Sequence, residues 1–125
     1  MRLLWPIERE VLEIAAAEYP ASAEALRRQI DTAQVISFEN SGAGFFSNLA
    51  IAPDAPPLSD KSPLGNAYGS VSGVEGGMGF LVWLNHGHLS VIEGYCYGSG
   101  PTEDIDFSRV VFELKGEDAK PDAEP

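Results

Sequence analysis

Residues 78–98 read MGFLVWLNHGHLSVIEGYCYG. Two runs rich in β-branched and aromatic residues flank Asn85-His86-Gly87-His88. That pattern predicts a β-hairpin with strands over 78–85 and 88–98. A two-residue and a four-residue loop give the same pairing. Leu84 is then expected opposite Leu89, Val82 opposite Val91 and Phe80 opposite Glu93, with Trp83 across from Ser90 and Leu81 across from Ile92. One face would carry Phe80, Val82, Leu84, Leu89, Val91, Glu93, Tyr95 and Tyr97. The other would carry Leu81, Trp83, Ser90, Ile92 and Cys96. Both faces are substantially apolar, which marks a central hairpin covered on both sides.

Upstream the texture is different. In residues 3–18, Leu4, Ile7, Val11 and Ile14 recur at three and four residues, the stripe of an amphipathic helix. Pro6 suits its first turn, Glu8 and Glu10 suit the positive end of its dipole, and Tyr19-Pro20 should end it. Ser22 is a candidate N-cap for a second helix, 23–30, with Leu26 and Ile30 as its apolar pair. From Gln34 the period is two. QVISFEN (34–40) and FFSNLAIA (45–52) read as strands around an Asn-Ser-Gly-Ala-Gly turn. Prolines 53, 56, 57 and 63 make 53–65 a loop, and 68–75 a third strand closed by a turn at Gly76-Gly77. Residues 107–115 are the last strand. Helices first and strands afterwards predict an α+β fold, two N-terminal helices packed on an antiparallel sheet of five or six strands. Residues 1–115 make one domain, and 116–125 an acidic tail without large apolar side chains, expected to be disordered. Two short helices cover one sheet face. The other needs a curled sheet, the proline-rich loop or a second copy, so a homodimer is expected.

The 125-residue chain has a formal net charge of −11, with 8 basic and 19 acidic residues. A field of that sign repels phosphate backbones and argues against nucleic acid. No apolar run approaches a membrane span. One cysteine precludes an internal disulfide, and the N-terminal apolar run is too short for a signal peptide. A soluble cytoplasmic protein is expected, without a membrane partner.

Catalytic signatures are sparse. Cys96 and His86 lie ten residues apart on one strand, roughly 30 Å at about 3.3 Å per residue, whereas a nucleophile needs its base within about 3 Å. His86 and His88 flank Gly87 without further metal ligands nearby. The glycine-rich stretches lack the third glycine, or the lysine and hydroxyl, of nucleotide-binding loops. No cofactor, metal or catalytic residue is therefore assigned. Glu93 stands apart. On a face shared with Phe80, Tyr95 and Tyr97, its carboxylate would need a partner. Three readings remain open for it: a wet surface glutamate, one neutralised by Arg109 or a tyrosine hydroxyl, or part of a ligand- or partner-binding site made of Glu93, Tyr95 and Tyr97 with Phe80 as wall.

The LRRQI helix end (26–30), GAGFFSNLAI (42–51) and the 79–98 hairpin together resemble a group of small bacterial proteins of unknown function. That group has an LRxQ helix end, a GxGFF strand and an LEGY-type hairpin, and the likeness spans about residues 6–114. It implies no activity. The chain departs from it with Ile92 in place of leucine, Cys96 in place of threonine and His86 in place of an acid. The residues point first to a non-enzymatic interaction protein, self-associating or masking a basic protein as an immunity-type antidote would. The alternative is a small-molecule binder or small enzyme using Glu93 as acid–base with Tyr95 or Tyr97.

Overall fold

The computed structural model describes residues 1–116. The expected acidic tail lies outside the described residues, Gly116 excepted. Two helices, α1 (Pro6–Glu18) and α2 (Ala23–Thr32), precede six strands: β1 (Gln34–Asn40), β2 (Gly44–Ala50), β3 (Tyr68–Val71), β4 (Val74–Asn85), β5 (His88–Cys96) and β6 (Phe112–Lys115). All pairings are antiparallel, and the strand order is β1-β2-β5-β4-β3-β6. The α+β architecture and its antiparallel sheet are those the sequence predicts.

The first helix begins at Pro6 rather than at residue 3. The chain before it is extended, and Arg2 exchanges two backbone hydrogen bonds with Val35 at the edge of β1 (3.0 and 2.7 Å). Glu8 then closes the helix end by accepting from the Trp5 backbone N–H at 2.7 Å, the reciprocal half of a capping box. Ser22 does not cap α2. Its hydroxyl donates to Asp60 at 2.6 Å, while residues 20–22 form a single 3₁₀ turn.

Both helices lie on one sheet face. Ile7, Val11, Leu12, Ala16, Leu26 and Ile30 form one core with Val35, Phe45, Leu49, Met78, Phe80, Val82, Leu89 and Ile92. Each large apolar side chain so buried contributes about 1.5–3 kcal/mol. Glu8 and Gln29 are among the polar residues buried with them. Glu8 takes a bidentate pair from Arg2 (2.8 and 2.9 Å) and a bond from the Ser47 hydroxyl. Gln29 donates to the carbonyls of Pro56 (2.8 Å) and Gly87 (3.0 Å) and accepts from the Leu89 N–H (2.8 Å). That amide ties α2 to the proline-rich loop and to the hairpin tip.

The β4–β5 turn has two central residues, His86 (φ 52°) and Gly87 (φ 81°), both in the left-handed region, as a type I′ hairpin turn requires. From there the pairing departs from the regular ladder. Leu84 faces Leu89, but Trp83 faces Val91, so Ser90 is an extra residue in a β-bulge. Every later pair moves by one: Val82 faces Ile92, Leu81 faces Glu93, and Phe80 faces Gly94. This corrects the expected faces. Phe80, Val82, Leu89, Ile92 and Cys96 share the helix side, and Leu81, Trp83, Val91, Glu93 and Tyr95 share the other. The physical reason is burial: Leu89 and Ile92, three apart, are 2% and 0% exposed, and only an added residue lets both point inward.

The ends of α2, β2 and β5 shift by one or two residues, β5 stopping at Cys96 rather than 98, and larger differences fall at the β3–β4 turn and the last strand. The β3–β4 turn falls at Ser72-Gly73, and Gly76 and Gly77 lie within β4. The last strand is only four residues. Before it, Phe107 leaves the sheet to pack on Phe45, ring centroids 4.8 Å apart.

Candidate functional site

The face away from the helices is built by the register. Three cross-strand rows run over it: Lys115–Tyr68–Gly79–Tyr95, Leu81–Glu93–Phe46–Glu39, and Trp83–Val91–Asn48–Ser37. Phe46, Leu81, Val91 and Tyr95 are half-buried, yet none packs against the core. Trp83, Tyr68 and Tyr97 are exposed at 38%, 36% and 57%. The proline-rich loop does not cover this face. Leu58 and Leu64 enter the core on the helix side, and Leu64 bridges Val82 along the free edge of β4. Among the described residues, no helix or loop element lies in the rows of this aromatic sheet face.

The expected site residues divide between the two faces. Glu93, Tyr95 and Tyr97 come together. Phe80 does not: at 1% exposure it sits in the helix-side core, because the bulge at Ser90 turns it away from Glu93. The wall beside Glu93 is made instead by Leu81, Phe46 and Trp83. The Trp83 indole N–H donates to Glu93 Oε1 at 3.0 Å. Arg109 is not its partner, since that guanidinium pairs with Asp106 at 3.2 Å. Among the described residues neither Glu93 nor Glu39 makes an ion pair.

The tyrosines form a second patch. Tyr95 and Tyr97 meet edge to face with centroids 5.7 Å apart. Both hydroxyls lean over Gly79, where a Cβ would come within 2.6 Å of them. Partial burial, and then the neighbouring Tyr95 hydroxyl, push the Tyr97 phenol above the ordinary tyrosine range. A groove of about 390 Å³ runs beside it between Tyr68 and Tyr97, floored by Gly69, Gly76 and Gly77.

The other reactive groups lie elsewhere. Cys96 faces Met78, at the end of the hairpin opposite to the Asn85–His88 pair, and burial raises its thiol pKa. His88 Nε2 donates to the Ala55 carbonyl at 2.9 Å. Among the described residues no group of three or more His, Cys, Asp or Glu side chains could hold a metal ion, and no helix is long and apolar enough to cross a membrane.

The sequence pattern alone does not bring Phe46 and Glu39 to Glu93, and it sets Leu81 and Trp83 on the opposite face from it; the register joins all four to the Glu93 surface. The signal was there in part: Phe45-Phe46 are adjacent in a strand, so one must face away from the core. Comparison with protein-family models, with characterised proteins and with solved structures finds no match for this chain.

Proposed function

We propose that the protein is a non-enzymatic interaction module whose uncovered sheet face engages a basic protein and masks it, in the manner of an immunity-type antidote. The observation that carries this reading is the face itself: half-buried apolar side chains, exposed aromatic rings, and the carboxylates of Glu39 and Glu93 without an ion pair, the one cation on the face among the described residues being Lys115, which lies 5.9 Å from the Tyr68 ring. Contiguous exposed apolar surface of this kind marks an interaction site, and aromatic faces with carboxylates favour lysine and arginine. A second copy is a poorer occupant. Two chains of net charge −11 would meet through faces that each carry Glu39 and Glu93.

The test is capture from an extract of the host cell with the intact protein and with Trp83→Ala and Leu81→Glu variants, over graded salt. A basic protein retained by the native chain, released by salt and lost with both variants supports the reading. Retention indifferent to the variants, or no specific partner at any salt, refutes it. Glu93→Gln separates binding from acid–base chemistry: it weakens a basic partner severalfold, whereas a general base would lose turnover outright.

A further inference from the structure

We infer that Phe46, held between Glu39 and Glu93, is the seat for one arginine side chain of the basic partner. This rests on the reading of the open face as a binding surface and adds the chemical group it selects. The register carries it. Phe46 on β2 lies directly opposite Glu39 of β1 on one side and Glu93 of β5 on the other. Directly opposed residues have Cβ atoms about 5 Å apart, so the two carboxylates stand on either side of one aromatic ring, about 10 Å from each other at their Cβ atoms. Ser37 and Asn48, both neutral, border the ring on the next row and bond to each other at 2.9 Å.

A guanidinium is planar, weakly hydrated and able to stack on a ring while donating from its edges. Flat on Phe46, it presents N–H groups to both sides and reaches a carboxylate with each, at the short distances of charge-assisted bonds. An ammonium is a strongly hydrated point charge, and it cannot both stack and bridge two acids so separated. Glu93 is prepared for the task. The Trp83 indole holds one oxygen at 3.0 Å and so orients the carboxylate, leaving the second oxygen open to a ligand. Glu39 is exposed on the edge strand and free to swing inward. Leu81, across from Glu93, keeps the back of the seat dry.

The experiment uses the full chain and two blocked peptides, hexa-arginine and hexa-lysine, titrated by calorimetry at one moderate salt concentration. The variants are Phe46→Leu, Glu39→Gln and Glu93→Gln, with Glu24→Gln on α2 as a control for diffuse charge attraction. Thermal melts verify that each variant is folded. The expected result is at least about a fivefold preference for hexa-arginine, near parity of the two peptides in Phe46→Leu, and losses of about three- to tenfold in arginine affinity for each seat glutamate. Glu24→Gln should stay within about twofold of the native chain. Equal affinity for both peptides, a preference that survives Phe46→Leu, or an equal loss from Glu24→Gln overturns the seat while leaving the basic-partner reading standing. No binding of either peptide by the native chain overturns both.

Discussion

Gln29 offers the sharpest test of how the fold is fastened. It is 0% exposed, and its amide satisfies backbone groups on two other segments. Replacing it with leucine preserves volume and helix propensity but removes all three hydrogen bonds. The Gly87 carbonyl retains a bond from the Leu58 N–H at 2.8 Å, so it is not orphaned. The Leu89 N–H is buried and loses its acceptor. The Pro56 carbonyl is half-buried and recovers part of its loss from water. A buried orphan costs about 1–3 kcal/mol and a partly wet one nearer 1. The net expectation for Gln29→Leu is therefore about 2–4 kcal/mol, read as a lower urea midpoint with an unchanged slope. Gln29→Glu adds a direction. It keeps the acceptor for Leu89 but sets a carboxylate oxygen against two carbonyls, so it is worse than leucine at neutral pH. Protonation restores a donor. The raised pKa of such a carboxyl makes stability return as pH falls and vanish as it rises. A Gln29→Leu midpoint corresponding to less than about 0.5 kcal/mol, within ordinary surface-substitution noise, or a Gln29→Glu variant with no such acid rescue, would refute the account.

Other expectations follow from the same structure. Arg2→Met leaves the Glu8 carboxylate buried without its cation and should cost about 3 kcal/mol, while the double variant Arg2→Met/Glu8→Gln recovers part of that loss in a denaturation cycle. Deleting Ser90 removes only the bulge residue, because Trp83–Val91 and every later pair keep their partners; the variant should fold with a loss of about 1–2 kcal/mol and an unchanged aromatic face by amide NMR. In a regular ladder the same deletion would drive Glu93 into the core and unfold the chain. The Tyr97 phenol, raised by burial and by Tyr95, should titrate above the ordinary tyrosine range in ultraviolet absorbance. The neutral form is favoured in the fold, so its stabilising effect is present below the ordinary tyrosine range and lost as pH climbs from there through the raised folded value; an ordinary titration curve that Tyr97→Phe leaves unchanged would contradict the packing.

Much of this fold is legible in the chain because local chemistry and burial agree. Pro6 marks the start of α1, and Asn85-His86-Gly87 demands positive φ where a type I′ turn supplies it. What escapes reading is decided by tertiary competition. Gly76-Gly77 look like a turn, but they take positive φ (87° and 81°) where the β3–β4 pairing is irregular, as glycine at a bulge can, and Ser72-Gly73 takes the turn instead. Glu8 and Gln29 look like surface residues by type. Yet each sits inside an apolar stripe, Glu8 between Ile7 and Val11, and Gln29 between Leu26 and Ile30. Their spacing, not their polarity, foretold burial. The candidate site was half visible. The alternation puts Glu93 and Tyr95 on one face whatever the register, because it depends only on β5 itself, and Tyr97, just past the end of β5, meets Tyr95 edge to face. Which β4 residues join them depends on the bulge, which pairs Leu81 rather than Phe80 with Glu93 and leaves Phe80 in the helix-side core.

The bulge at Ser90 also explains how both faces of one hairpin can be rich in apolar residues without contradiction. A strand that buries Leu89 and Ile92 inward must present Val91, Glu93 and Tyr95 outward, so the core's demand on β5 creates the surface on the other side. Nothing in core packing requires that surface to be aromatic. Serine or threonine at Trp83 or Tyr97 would suit a solvent-facing strand and expose less apolar area. Nor does stability require an indole at 83, since its one polar bond, to Glu93, lies in solvent, where a single hydrogen bond contributes little. Features that folding does not explain, gathered on one face and arranged around uncompensated carboxylates, are what a binding surface adds to a scaffold. That contrast ties the helix side of the sheet to stability, and it supports the proposal that the open side serves recognition.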